Sequence, residues 1–204
     1  MSKRLAVLLI LAGSLCLANE ATAQDRSGFW LRFNVGVGYG TISSDETIFG
    51  DFDLSGVAGI GSVGAGLFLS DRLVLFGEFA ADVLSDPTVK VNGQEVGEAS
   101  DFTATAGGFG AGLQYYLARS WFLAGTLYVS EVKFEYGNAE ISTDPGFGFR
   151  ILLGKDWPVS RTIALGVAGD GLFVVGAKDD AGDTWRSFGL GVTFSFTWAP
   201  KGIR

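Results

Sequence analysis

The chain contains no histidine, and its one cysteine, Cys16, lies in an apolar run near the N-terminus. With imidazole absent, the groups left for chemistry are carboxylates, guanidinium groups, amines and hydroxyls. A hydroxyl nucleophile needs a neighbouring base that histidine most often supplies, so the many Ser and Thr residues read as small fillers. No enzyme activity, cofactor or metal is expected. Asp179, Asp180 and Asp183, close to Gly176 and Gly182, are of the right type for a divalent-cation loop. Their spacing does not match a calcium loop with its terminal glutamate, so a solvated acidic loop is the expectation. More telling are Arg32, Glu78, Asp82, Arg150 and Asp170, which stand in apolar or small-residue surroundings. An unpaired charge taken out of water costs several kcal/mol. Arg150 is therefore expected to pair with Glu78 or Asp170, with a structural role read first and a proton or substrate path as the functional alternative.

The elements that must hold these charges follow from the hydrophobic pattern. Phe29, Leu31, Phe33, Val35, Val37 and Tyr39 alternate with Trp30, Arg32, Asn34, Gly36, Gly38 and Gly40, the period of a β-strand with one apolar row. Near the other end Phe188, Leu190, Val192, Phe194, Phe196 and Trp198 alternate with Ser187, Gly189, Gly191, Thr193, Ser195 and Thr197. Between them lie six further runs, at 57–69, 73–84, 102–117, 121–132, 146–154 and 162–175. The run at 57–69 has the least certain register, because Gly59, Gly61, Gly64 and Gly66 blur its alternation. Glycine at this density weakens an ordinary sheet, but it suits the inward positions of a narrow closed barrel, where opposing side chains crowd.

The connections alternate in length. Residues 70–72, 118–120 and 156–161 are short turns; 41–56, 85–101, 133–145 and 176–184 are long links, and Asn92-Gly93 within the second favours a type I′ hairpin. Acidic residues dominate the long links. The short turns and tails carry Arg26, Arg72, Arg119, Lys155, Arg161, Lys201 and Arg204 against Asp25, Asp71 and Asp156. Few charges are left at the level between. Trp30, Tyr115, Trp121, Trp157 and Trp198 fall near the short-turn end, where an interfacial aromatic girdle belongs.

Lys3 and Arg4, the apolar run from Leu5 to Leu17, and Ala21-Thr22-Ala23 have the form of an export signal cleaved before Gln24. The run is about 13 residues, where a membrane helix needs roughly 20. The expected organisation is a signal peptide at 1–23 and one domain at 24–204. Removing Lys3, Arg4 and Glu20 leaves a net charge of about −8, which disfavours nucleic acid as a partner. The second row of each strand is mostly Gly, Ala, Ser and Thr, a poor surface for water but a good filling for a tight barrel, so the apolar row is assigned to lipid. A water-soluble, lipocalin-like carrier would have these faces exchanged.

In Gly107-Gly108-Phe109-Gly110-Ala111-Gly112-Leu113-Gln114-Tyr115-Tyr116, and in Gly146-Phe147-Gly148-Phe149-Arg150 leading to Gly154-Lys155-Asp156-Trp157, the sequence resembles the small eight-stranded outer-membrane barrels of the OmpA, OmpX and OmpW type. Phe194-x-Phe196-x-Trp198 is similar to their C-terminal assembly signal, although Ala199 to Arg204 follow it here. The resemblance implies an all-β, eight-stranded antiparallel transmembrane up-and-down β-barrel in the bacterial outer membrane, with long loops extracellular and both termini periplasmic. It implies outer-membrane lipid, lipopolysaccharide and the barrel-assembly machinery as partners of a monomer. The expected role is structural or surface-interacting, with a narrow channel or lateral path for small molecules, apolar ones included, as the alternative.

Overall fold

Alternation in the sequence becomes a closed ladder in a computed structural model, which describes residues 27–47, 50–117, 120–137, 139–179 and 181–200. The expected signal peptide, Ala118 and Arg119, Asp180, and the tail from Lys201 lie outside the described residues. Eight long strands form the wall: β1 (Phe29–Thr47), β2 (Gly50–Ser70), β3 (Leu73–Ser85), β6 (Phe102–Tyr116), β7 (Trp121–Tyr136), β9 (Gly146–Pro158), β10 (Ile163–Lys178) and β11 (Thr184–Trp198). Three short strands decorate the loop end. β4 (Thr88–Val91) and β5 (Gln94–Glu98) form a hairpin laid against β2, and β8 (Ala139–Ser142) folds back on β7. Every wall pairing is antiparallel, and β1 pairs with both β2 and β11, from Leu31 opposite Trp198 to Ser44 opposite Trp185. Closure leaves no free edge in the wall, which satisfies backbone groups that hydrocarbon could not.

The register fixes the shape. Following directly paired residues from Arg32 through Gly64, Glu78, Gly110, Tyr128, Gly148, Val174 and Ser187 returns to β1 at Ile42, ten residues above the start. Ten residues rise roughly 33 Å while eight strand spacings measure roughly 38 Å, so the strands tilt by about 40°.

Which row faces out decides the environment. Phe33, Val35, Val37 and Tyr39 on β1, and Phe188, Leu190, Val192 and Phe194 on β11, are exposed, whereas Arg32 and Asn34, Ser187, Thr193, Ser195 and Thr197 are buried. A water-soluble carrier needs the reverse. From Phe29 to Tyr39 the outer row climbs about 33 Å along the strand, or about 25 Å along the barrel axis at that tilt, the height of the apolar band of outer-membrane barrels. Above the band the outer row turns polar: Thr41 on β1, Asp53 on β2, Ser85 on β3, Thr105 on β6, Glu131 on β7 and Arg186 on β11. The ladder itself continues past that line, so most of 41–56, expected as a loop, is strand in β1 and β2. Asn92 (φ 50°) and Gly93 (φ 75°) make the tight turn between β4 and β5, where both residues need the left-handed region.

Candidate functional site

Arg32, Glu78, Asp82, Arg150 and Asp170 all stand on inward rows and are at most 4% exposed. They form two groups at different heights. In the middle of the barrel Arg150, on β9, donates Nε to Asp170 Oδ1 at 2.8 Å and Nη2 to Asp170 Oδ2, a bidentate pair with the neighbouring strand β10. Its Nη1 donates across the lumen to Glu78 Oε1 of β3 at 3.0 Å. The second oxygen of Glu78 accepts from Thr126 Oγ1 at 3.0 Å and from the Tyr128 hydroxyl, both on β7. One guanidinium thus ties three strands together directly and a fourth through the hydroxyls. Arginine suits this place because its planar fork meets a carboxylate with two parallel bonds.

Asp82 stands two inward positions above Glu78 on β3, and its carboxylate rests against the backbone of Gly189 on β11, in space that a side chain there would fill. It is not part of the Arg150 hydrogen-bond set.

The second group sits near the short-turn end. Arg32 on β1 pairs with Asp156, donates Nη1 to Gln114 Oε1 at 2.6 Å and Nε to Thr197 Oγ1 at 2.9 Å, and lies 4.2 Å from the centroid of the Phe122 ring. Asp156 also accepts from the Tyr116 hydroxyl at 3.1 Å. Sequence reasoning missed this partner by assigning Asp156 to a turn. The structure extends β9 to Pro158, and Asp156, 1% exposed, points inward from it. The available signal was parity: Asp156 falls on the same row as Arg150, Leu152 and Gly154.

Apolar clusters fill the lumen on either side of the Arg150 group, the lower one surrounding Arg32. Below, Trp30, Val74, Phe76, Tyr116 and Phe122 pack together with Phe68; above, Ile42, Leu54, Leu84, Val132 and Trp185 pack with Phe52, Phe102 and Phe134. Trp30 therefore corrects the expected girdle. It is 1% exposed and fills the lumen beside Phe76, at 5.2 Å between ring centroids, because its row alternates with the lipid-facing Phe29 and Leu31. Tyr115, Trp121 and Trp198 do face outward, and Lys155 lies 5.7 Å and 5.6 Å from the Trp121 and Trp157 rings, an ammonium held among interfacial aromatics.

At the loop end the Asp179 carboxylate is committed to its own loop, accepting from the backbone N–H of Ala181 and Asp183 and from Trp185 Nε1 at 3.0 Å. It fastens the loop to the upper layer. Among the described residues no three acidic, histidine or cysteine side chains are placed to share a metal ion. Lys133 bridges Glu135 at 3.2 Å and Glu140 at 2.9 Å across the β7–β8 hairpin.

No protein-family model matches the chain, and no curated protein matches it. Solved structures do. Neisserial surface protein A aligns with a TM-score of 0.54 at 15% identity over 85% of this chain and 97% of that one. Ail, the attachment invasion locus protein of Yersinia pestis, solved with the heparin analogue sucrose octasulfate, aligns with a TM-score of 0.47 at 12% identity over 83% and 99%. The outer membrane protein OprG of Pseudomonas aeruginosa aligns at 0.44 and 14% identity over 86% and 98%. The first of these likenesses, together with the closed eight-stranded wall, establishes the fold as that of the small outer-membrane β-barrels.

Proposed function

We propose that this chain is an integral outer-membrane barrel with a structural or surface-interaction role, its loop end outside the cell and its short turns and termini in the periplasm. The observation that carries the reading is the filled lumen: apolar clusters pack around and above the two charge groups, Arg150 is held by Asp170 and Glu78, and Arg32 is held by Asp156, Gln114 and Thr197. An eight-stranded barrel is just wide enough for its side chains, and this one uses that width for packing. Orientation rests on the asymmetry of the ends, since short turns face the periplasm in barrels of this kind. The loop end presents Asp51, Glu95, Glu98, Asp101, Glu135 and Glu140, which suits contact with cations bound to lipopolysaccharide or with a basic surface on another cell or molecule. Phe194, Phe196 and Trp198 lie on the outer face of β11, the strand that closes the ring, where the assembly machinery would read them. The reading includes no catalytic step.

Planar-bilayer recording tests it. The expected result is no defined conductance steps from the wild-type barrel, alongside binding of lipopolysaccharide that falls when the acidic residues of the loops are neutralised. Reproducible single-channel steps would favour the channel reading instead.

A further inference from the structure

The outer wall is built mainly of large apolar side chains, and at several of its glycines a neighbouring side chain covers the gap. A Cβ built at Gly77 would meet Phe109 at 3.6 Å, one at Gly125 would meet Phe149 at 3.8 Å, and one at Gly171 would meet Leu190 at 3.2 Å. Aromatic and branched neighbours lying over strand glycines are a known way of protecting them. Gly59 and Gly61, on the outer row of β2, are different. A Cβ at Gly61 would meet nothing within 4 Å, and one at Gly59 would meet only the Val83 carbonyl at 4.0 Å. Neither has a positive φ that would demand glycine. Gly169 on β10 is similarly bare, but it stands alone.

Glycine in a strand interior costs backbone entropy and offers no packing, and it often marks a place where another group approaches closely. Here the two glycines floor an open groove of about 560 Å³ walled by Phe33 and Val35 of β1 and by Phe79 and Val83 of β3. The groove lies on the outer face and within the apolar band. It is two strand spacings wide, roughly 9.5 Å, and four residues long, roughly 13 Å. That footprint of about 125 Å² is far below the ~800 Å² that each partner gives to a stable protein interface. What the surroundings of this band supply in the right shape is a hydrocarbon chain.

We infer that the groove over Gly59 and Gly61 seats one acyl chain of a membrane lipid from the leaflet on the loop side, held longer than the lipid around the rest of the wall. The inference goes beyond the proposed role and holds whatever the loops bind.

The test uses the full barrel reconstituted in dimyristoylphosphatidylcholine vesicles containing a chain-spin-labelled phosphatidylcholine. Electron paramagnetic resonance counts the motionally restricted chains per barrel for wild type, for Gly59→Val/Gly61→Val, and for Gly169→Val as a control. Wild type and the control are expected to share one population per barrel that exchanges at least tenfold more slowly than the other wall lipids, and the double variant is expected to lose it. Identical spectra for all three overturn the inference. So does a wild-type dimer, seen by cross-linking in the same vesicles, that the double variant loses, because a second copy would then cover the groove. Failure of both the double variant and Gly59→Ala/Gly61→Ala to insert, read by heat-shifted gel mobility, also overturns it, since the premise is empty space above these residues.

Discussion

Replacing Arg150 by leucine asks how much the central charge group contributes. The substitution removes a bidentate bond to Asp170 and a 3.0 Å bond to Glu78, all between side chains no more than 4% exposed. The lost bonds are the smaller part. Breaking a buried pair by removing one partner typically costs about 3–5 kcal/mol because the remaining charge has neither water nor counterion. The two carboxylates are not orphaned equally. Glu78 keeps the Thr126 and Tyr128 hydroxyls, while both Asp170 oxygens face the vacated guanidinium site. Arg150→Leu is therefore expected to lower unfolding free energy by about 3–5 kcal/mol, two to more than three decades in the folding equilibrium. Adding Asp170→Asn should recover more of that loss than adding Glu78→Gln, and neutralising all three should recover most of it. Urea unfolding in lipid vesicles, followed by tryptophan fluorescence, measures each variant. A loss below about 1 kcal/mol for Arg150→Leu would refute the reasoning, because it falls outside what an orphaned buried charge costs. Equal recovery from the two double variants would refute the ranking.

Other substitutions separate the remaining parts. Arg32→Met should destabilise more than Asp156→Asn in the same unfolding assay, about 3–5 against about 1.5–3 kcal/mol, since the guanidinium retains Gln114, Thr197 and the Phe122 ring when Asp156 is neutralised. Gly110→Val should fail to form a heat-shifted barrel, because a Cβ there would lie 2.7 Å from the Leu127 carbonyl carbon; Gly61→Val should fold with a change of no more than about 1 kcal/mol, toward greater stability. Gly93→Ala puts a side chain at φ 75° in the β4–β5 turn and should cost about 1–2 kcal/mol locally, seen as faster amide exchange across Thr88–Glu98 with the global unfolding midpoint unchanged.

Much of this architecture is legible in the sequence because lipid outside and small residues inside impose strict period two over the band. Where lipid ends, the signal ends too. Thr41, Ser43 and Ser55 remove the apolar row while backbone pairing runs on, so strand continuing above the membrane looks like loop. The register of β2 was blurred for a related reason: Gly59 and Gly61 occupy outward positions that elsewhere hold Val, Leu or Phe. Inward parity found Arg32, Glu78, Asp82, Arg150 and Asp170, whereas Asp156 was hidden by Trp157-Pro158 beside it, which reads as turn chemistry. Trp30 shows the limit of counting aromatics by height alone. Being near an interface places a residue at a level of the barrel, but only its row says whether it touches lipid or fills the lumen. An Arg150 pair with Glu78 or Asp170 follows from the cost of an unpaired buried charge, but that one guanidinium reaches both at once depends on the tilt and stagger of the closed ring, which no local pattern encodes.

The most direct measurement is a spin-label scan of β11 in lipid vesicles, with single cysteines introduced from Phe188 to Trp198 and collision rates read for oxygen, which partitions into hydrocarbon. Labels at Leu190, Val192, Phe194 and Phe196 should collide freely with oxygen, and labels at Thr193, Ser195 and Thr197 should be shielded within the ring. Alternation in the opposite phase, or none at all, would contradict the assignment of the apolar row to lipid.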